Sequence, residues 1–165
     1  MLVDDSRKMK SLISELKMLS KSEVRVGVLS NEGAQPKAGD TSGNTGLTVA
    51  EVFSYHELGR GNNPKRSSLG WVVSPEGKLN EVEDTLRKWA GLVIDGKAPA
   101  GVALGAVGEY VIAETKRRIK SGIAPELSES RKKQKIRAGK SGNTPLIHTG
   151  QLINSFRYEI KERIT

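Results

Sequence analysis

Residues 23–29 read Glu-Val-Arg-Val-Gly-Val-Leu. Val24, Val26 and Val28 fall on one face of an extended chain, and Glu23, Arg25 and Gly27 fall on the other. Strict alternation of β-branched apolar residues with polar ones is the pattern of a half-buried strand. A second alternating stretch closes the sequence. Phe156, Tyr158 and Ile160 are interleaved with Ser155, Arg157 and Glu159, which predicts a C-terminal strand. Trp71-Val-Val73 is a third, shorter strand candidate, ended by Ser74-Pro-Glu-Gly77.

Helical periodicity fills much of the space between. Met9, Leu12, Ile13, Leu16 and Leu19 recur at three- and four-residue spacing over residues 5–19, with Asp4 or Asp5 available as the cap. Thr48 precedes Val49, Val52, Phe53 and His56, stands three residues before Glu51 in capping-box spacing, and Gly59 follows as a stop. From about Glu81 a helix capped by Asn80 is expected, with Val82, Leu86, Trp89 and Val93 as its buried stripe. Gly96 and Pro99 end it. Ala100 to about Lys120 is the longest helical stretch, with Ala103, Val107, Tyr110, Val111 and Ile119 toward the core. Gly101, Gly105 and Gly108 either weaken its first turns or let another backbone approach closely. Pro125 to Ala138 fits a short basic helix stopped by Gly139. The order α-β-loop-α-(β)-α-α-loop-β predicts an α+β fold, a small antiparallel sheet with helices packed on one face, plus long loops.

The chain has 165 residues, the size of one domain. The expected organisation is a single domain over 1–165. It comprises an N-terminal helix over 1–22, a mobile Gly-rich loop over 30–46 and a basic arm over 121–150. Leu, Ile, Val and Phe make up about a quarter of the residues, a lean core but above the disordered range. No apolar run is long enough to cross a membrane, and Met1-Leu-Val-Asp-Asp-Ser6 lacks the base-then-apolar order of a secretory signal. With no Cys there is no disulfide framework or thiol nucleophile. The expectation is an intracellular, soluble, non-redox protein without cofactor or metal.

The net charge of +8 is concentrated. Residues 116–140 carry ten basic groups against Glu126 and Glu129, so the rest of the chain is neutral. The densest part is Arg131, Lys132, Lys133, Lys135 and Arg137, a strip suited to a polyanion or an acidic protein surface. It lacks the interleaved aromatics of single-strand binders and any groove-reading module. The alternative reading is a solvated loop that keeps the chain soluble.

Catalytic constellations are sparse. His56 and Glu57 are adjacent on a helix, so they diverge by about a hundred degrees and form no dyad. Glu81, Glu83 and Asp84 are explained by the helix dipole. The loop 30–46 lacks the Gly-Lys-Ser/Thr ending of a phosphate-binding loop. His148-Thr149-Gly150 reads as a turn, with Gly150 at positive φ and Thr149 bonding locally to set the start of the last strand.

Three segments carry a resemblance. They are Val49-Ala-Glu-Val-Phe-Ser-Tyr-His-Glu-Leu-Gly59, Asn63-Pro-Lys-Arg66 through Leu69, and Ser128 to Lys133 followed by Pro145-Leu-Ile-His-Thr-Gly-Gln-Leu152 and Ser155. In this order, and with the early Val-x-Val-Gly-Val strand, they resemble the tail-completion and neck proteins of tailed bacteriophages, the virion-morphogenesis family. The likeness spans about residues 23 to 160, and its third segment is the most specific. Asn63 replaces that family's usual apolar residue, Ser67-Ser68 its Pro-Phe, and His148 its common Asp. The resemblance implies a small α+β virion protein without a catalytic site. It implies a homo-oligomeric ring, commonly hexameric, at the head–tail junction, docking to adjoining neck or portal-adaptor and tail-tube proteins. Such a ring sits around the phage DNA passing through its lumen. The competing expectation is a basic, non-sequence-specific nucleic-acid-binding protein.

Overall fold

The computed structural model describes residues 2–29, 33–35, 46–137, 139, 144–147 and 150–163. Most of the Gly-rich loop 30–46 lies outside the described residues, and so do Lys140, His148 and Thr149. The fold is α+β. Helix α1 (Leu2–Lys21) runs directly into strand β1 (Ser22–Val28). Helices α2 (Val49–Leu58), α3 (Leu69–Val72), α4 (Leu79–Ile94), α5 (Ala100–Ser121), α6 (Glu129–Arg137) and α7 (Gln151–Asn154) follow, and strand β2 (Phe156–Glu162) comes last.

The two alternating stretches pair with each other. β1 and β2 form an antiparallel two-stranded sheet in which Val24 faces Ile160, Val26 faces Tyr158 and Val28 faces Phe156. The opposite sheet face pairs Glu23 with Lys161 and Arg25 with Glu159, so unlike charges stand across the strands. One face is therefore apolar and packs on α5, and the other is a charged outer surface.

Helix α5 is the floor on which the sheet lies. A Cβ placed on Gly108 would come within 2.6 Å of the Tyr158 ring and 2.8 Å of Tyr158 Cβ. One placed on Gly105 would meet Tyr158 Oη at 2.9 Å. Of the two readings of these glycines, close approach is the one observed. The main core joins Ile112, Ile119 and Ile123 to Ile153 and Phe156, and Phe53 meets Phe156 edge-on at 5.3 Å between ring centres. A second cluster sets Leu16 and Leu19 of α1 with Trp89, Val93, Ala100 and Ala103. There Glu15 Oε2 accepts the Ala100 N–H at 2.6 Å, capping α5 from another helix.

Several local expectations need correction. Trp71-Val-Val73 is not a strand but part of α3 and its end. The reason is tertiary, since the Glu57 carboxylate takes the N–H groups that a helix start leaves unpaired. Helix α1 begins by Leu2, so Asp4 and Asp5 lie within its first turns and do not cap it. Its stripe is buried only in part, with Leu16 and Leu19 packed while Met9 and Ile13 stay exposed. Helix α4 starts at Leu79, which puts Asn80 inside it, and Leu86 faces solvent. Beyond Glu81, which pairs with Lys78, the acids Glu83 and Asp84 bridge to Arg87 on the surface. Helix α6 starts four residues after Pro125, at Glu129.

The capping box of α2 is present as the sequence predicts. The Thr48 Oγ1 accepts from Glu51 N, the Thr48 N–H donates back to Glu51 Oε2 at 2.8 Å, and Gly59 ends the helix at φ 71°. The Thr48 backbone and hydroxyl hold the Glu51 carboxyl below its ordinary value.

Gly108→Ala is expected to destabilise the fold by about 1–3 kcal/mol, because the overpacked contact is with a rigid Cβ and outweighs the gain in helix propensity. Gly91→Ala, on an α4 surface with nothing within 4 Å of the added carbon, should instead stabilise by up to about 1 kcal/mol. Urea melting of the two variants checks the contrast.

Candidate functional site

Around the C-terminal end of α5 the fold gathers cations, and most of them are put to internal use. Arg118 lies over the Trp71 ring, with its guanidinium carbon 3.9 Å from the ring centre, and its Nε donates to Ser67 O at 2.9 Å. Arg66 is buried. Its Nε donates to Pro125 O at 2.8 Å and its Nη2 to Glu126 O at 3.1 Å. Burial pushes both guanidinium groups down from their ordinary value. Arg117 pairs with the buried Glu114 one turn earlier. The carbonyls of residues 125 and 126 are thus spoken for by Arg66, which keeps that stretch out of α6.

Glu57 organises the turn between α2 and α3. Its Oε1 accepts from Ser67 Oγ at 2.6 Å and from Gly70 N at 2.7 Å. Its Oε2 accepts from Ser68 N at 2.8 Å and Ser68 Oγ at 3.0 Å. Ser68 is fully buried. The hydroxyls of Ser67 and Ser68 are therefore the partners that hold this turn to α2. Sequence reading weighed Glu57 only as a partner for His56 and missed this role. The available signal was a lone acid followed ten residues later by two adjacent hydroxyls, a pairing that no local periodicity reveals.

Helix α6 presents the densest cationic strip, and its residues divide by face. Lys135 is 8% exposed. Its Nζ donates to Thr144 O at 2.9 Å and to Ile147 O at 2.5 Å, and burial pushes its pKa down. Lys132 bridges Glu126 at 3.1 Å and Glu129 at 2.9 Å, and those carboxylates raise its pKa. Lys132 and Lys135 thus lie toward the body of the protein. Lys133 and Arg137, one turn apart, lie on the opposite face and are exposed together with Ile136. Arg131 is also exposed, and its Nη1 donates to Gln134 Oε1 at 2.8 Å. The charge is a helix face anchored by lysine.

Gly150 has φ 80°, as the sequence predicts, but what it precedes is the helical turn α7 and not the strand. Ser155 ends that turn, buried, with its Oγ donating to Gln151 O at 2.6 Å, so it does not take part in the alternation of β2. His56 is half-buried on α2. Among the described residues no group of three or more His, Cys, Asp or Glu is placed to hold a metal ion. None of the described helices is long and apolar enough to cross a membrane.

Lys135→Ala should cost about 1–3 kcal/mol, since two partly buried carbonyls lose a charged donor. Lys133→Ala, on the exposed face, should stay within about 0.5 kcal/mol of the parent. Glu57→Ala should also lower stability by about 2 kcal/mol through the loss of four acceptor contacts. Chemical denaturation resolves all three. Compared with protein-family models, curated protein sequences and solved structures, the chain shows no match.

Proposed function

We propose that this chain is a structural subunit of a tailed-phage virion. Its copies form a ring at the head–tail junction that caps the tail and docks it to the adjoining neck or portal ring. The ordered likeness of residues 49–59, 63–69 and 128–155 to the virion-morphogenesis family supports this reading. The observation that carries it to a docking role is the outward face of α6. Lys133 and Arg137 stand there beside Ile136, which is 68% exposed, and Arg131 is exposed at the edge of the helix. An exposed apolar side chain flanked by cations is suited to an acidic protein surface, with charge guiding the approach and the apolar contact adding hold. A contact to the DNA in the lumen is the second use of the same charge. Tight DNA binding would oppose ejection, which favours the protein partner.

Replacing Arg131, Lys133 and Arg137 together with Gln is the test. The exposed positions predict a stability change of no more than about 0.5 kcal/mol per site. The expected outcome is a folded subunit that leaves heads and tails unjoined when mixed with them. Joining at the parental rate and salt dependence overturns the docking role. If the parent instead binds duplex DNA, and the variant lowers the salt slope of that binding by about 0.9 for each lost phosphate contact, the nucleic-acid reading takes its place.

A further inference from the structure

Among the described residues the sheet has two strands, and each has an edge that the other does not cover. Arg163 N donates to Lys21 O at 2.6 Å, continuing the ladder one pair beyond Ser22 and Glu162. In an antiparallel ladder, hydrogen-bonded pairs alternate with pairs whose backbone groups point away. The pairs Glu23–Lys161, Arg25–Glu159 and Gly27–Arg157 are therefore the bonded ones. The N–H and C=O groups of Tyr158, Ile160 and Glu162 point outward from β2. Those of Ser22, Val24 and Val26 point outward from β1. Among the described residues no backbone bond outside the helices and the ladder reaches the outward groups of Tyr158, Ile160, Glu162, Val24 and Val26. At the far end the edges are occupied. Arg157 Nη1 donates to Phe156 O at 2.9 Å, and Gly33 lies close to Val28 O.

A groove of about 280 Å³ borders β2, lined by Glu109, Ile112 and Lys116 of α5 and by Phe156, Arg157 and Tyr158. Ile112 and Phe156 at its base are buried, and its exposed lining is mostly polar. An unpaired sheet edge receives an extended strand through backbone bonds along the edge.

We propose that the edge of β2 takes the edge of β1 from a second copy of this chain, antiparallel, with Glu159 opposite the second copy's Arg25 and Lys161 opposite its Glu23. Charge sets this register. A slip of two residues one way opposes Glu159 to Glu23 and Arg157 to Arg25, and the other way opposes Lys161 to Arg25. A slip of one residue turns the second copy's valines to the charged outer face. In the complementary register Val24 and Val26 of the second copy lie across from Ile160 and Tyr158. The two edges differ, so the contact is head-to-tail and leaves each copy one open edge for the next. Closure of that series into a ring rests on the function proposed above, whereas the edge contact stands apart from it.

The chain has no cysteine, which makes crosslinking specific. Arg25→Cys and Glu159→Cys are made as separate full-length proteins and mixed under mild oxidation. A non-bonded antiparallel pair has the Cα spacing a disulfide accepts, so about tenfold more covalent dimer is expected in the mixture than in either variant alone. In the unmodified protein, the amides of Tyr158, Ile160 and Glu162 should exchange about tenfold more slowly as concentration rises, while those of Arg157, Glu159 and Lys161 hold constant. A mixture that does not crosslink, with the alternate amides unprotected at every concentration, overturns the proposal. So does Glu159→Cys crosslinking to itself as readily as to Arg25→Cys, which would mean that β2 pairs with β2. Mixed crosslinks in a protein whose assembled mass is not that of a closed ring would uphold the edge contact and overturn the ring. A ring that forms without the crosslink would do the reverse.

Discussion

Tyr158 rests on helix α5 where Gly105 and Gly108 leave no side chain, and this contact decides how the rest of the molecule is arranged. A two-stranded sheet buries too little by itself to be stable in water. It needs a surface that it can meet at close range along its apolar face. The glycines lower the intrinsic preference of α5 for helix by about 1 kcal/mol each. That cost is offset because α5 is packed by its neighbours on several sides. The sheet, α1, α3 and α4 all contact it. Once α5 is fixed, Val26 and Val28 of β1, Phe156 and Ile153 converge with Ile112 and Ile119 in one core.

At the other end of α5 the packing is polar and depends on long side chains reaching backbone. Arg66, Arg118, Lys135 and Glu57 each bind groups distant in sequence, chiefly backbone atoms of loops and turns. Loops short of apolar residues cannot fold onto a core through burial alone, so charged groups hold them in its place. The cations that the sequence presents as one strip are thus of two kinds. Those turned inward, Lys132 and Lys135, bind Glu126, Glu129 and the carbonyls of Thr144 and Ile147, and those turned outward meet solvent.

What was legible in the sequence follows from the range of each signal. Period-two alternation identified β1 and β2, and the capping box identified α2, because both patterns lie within a few adjacent residues. Trp71-Val-Val73 misled because its apolar run suits strand or helix equally, and the deciding carboxylate is fourteen residues upstream of Trp71 at Glu57. Leu86 and Met9 fitted helical stripes but lie where no neighbouring element covers them. The strip 131–137 was visible as charge, yet the burial of Lys135 was not. Its acceptors, the carbonyls of Thr144 and Ile147, are present in any sequence and carry no signature. The Gly105 and Gly108 contact was legible as one of two alternatives, since a glycine marks that space is needed without naming what fills it.

The pairing of residues 22–28 with 156–162 also constrains the order in which the chain acquires its structure. On a ribosome, β1 emerges before all the helices that lie between it and β2, and waits for them to be synthesised before its complement appears. Helices α4 and α5 can associate in that interval, because their contacts are close in sequence, whereas sheet closure carries the loop entropy of most of the polypeptide. During this delay the valines of β1 are exposed with an unpaired edge, the kind of segment that joins other chains. The alternating Glu23 and Arg25 place charge within that segment, which guards the nascent chain against indiscriminate self-association until β2 arrives.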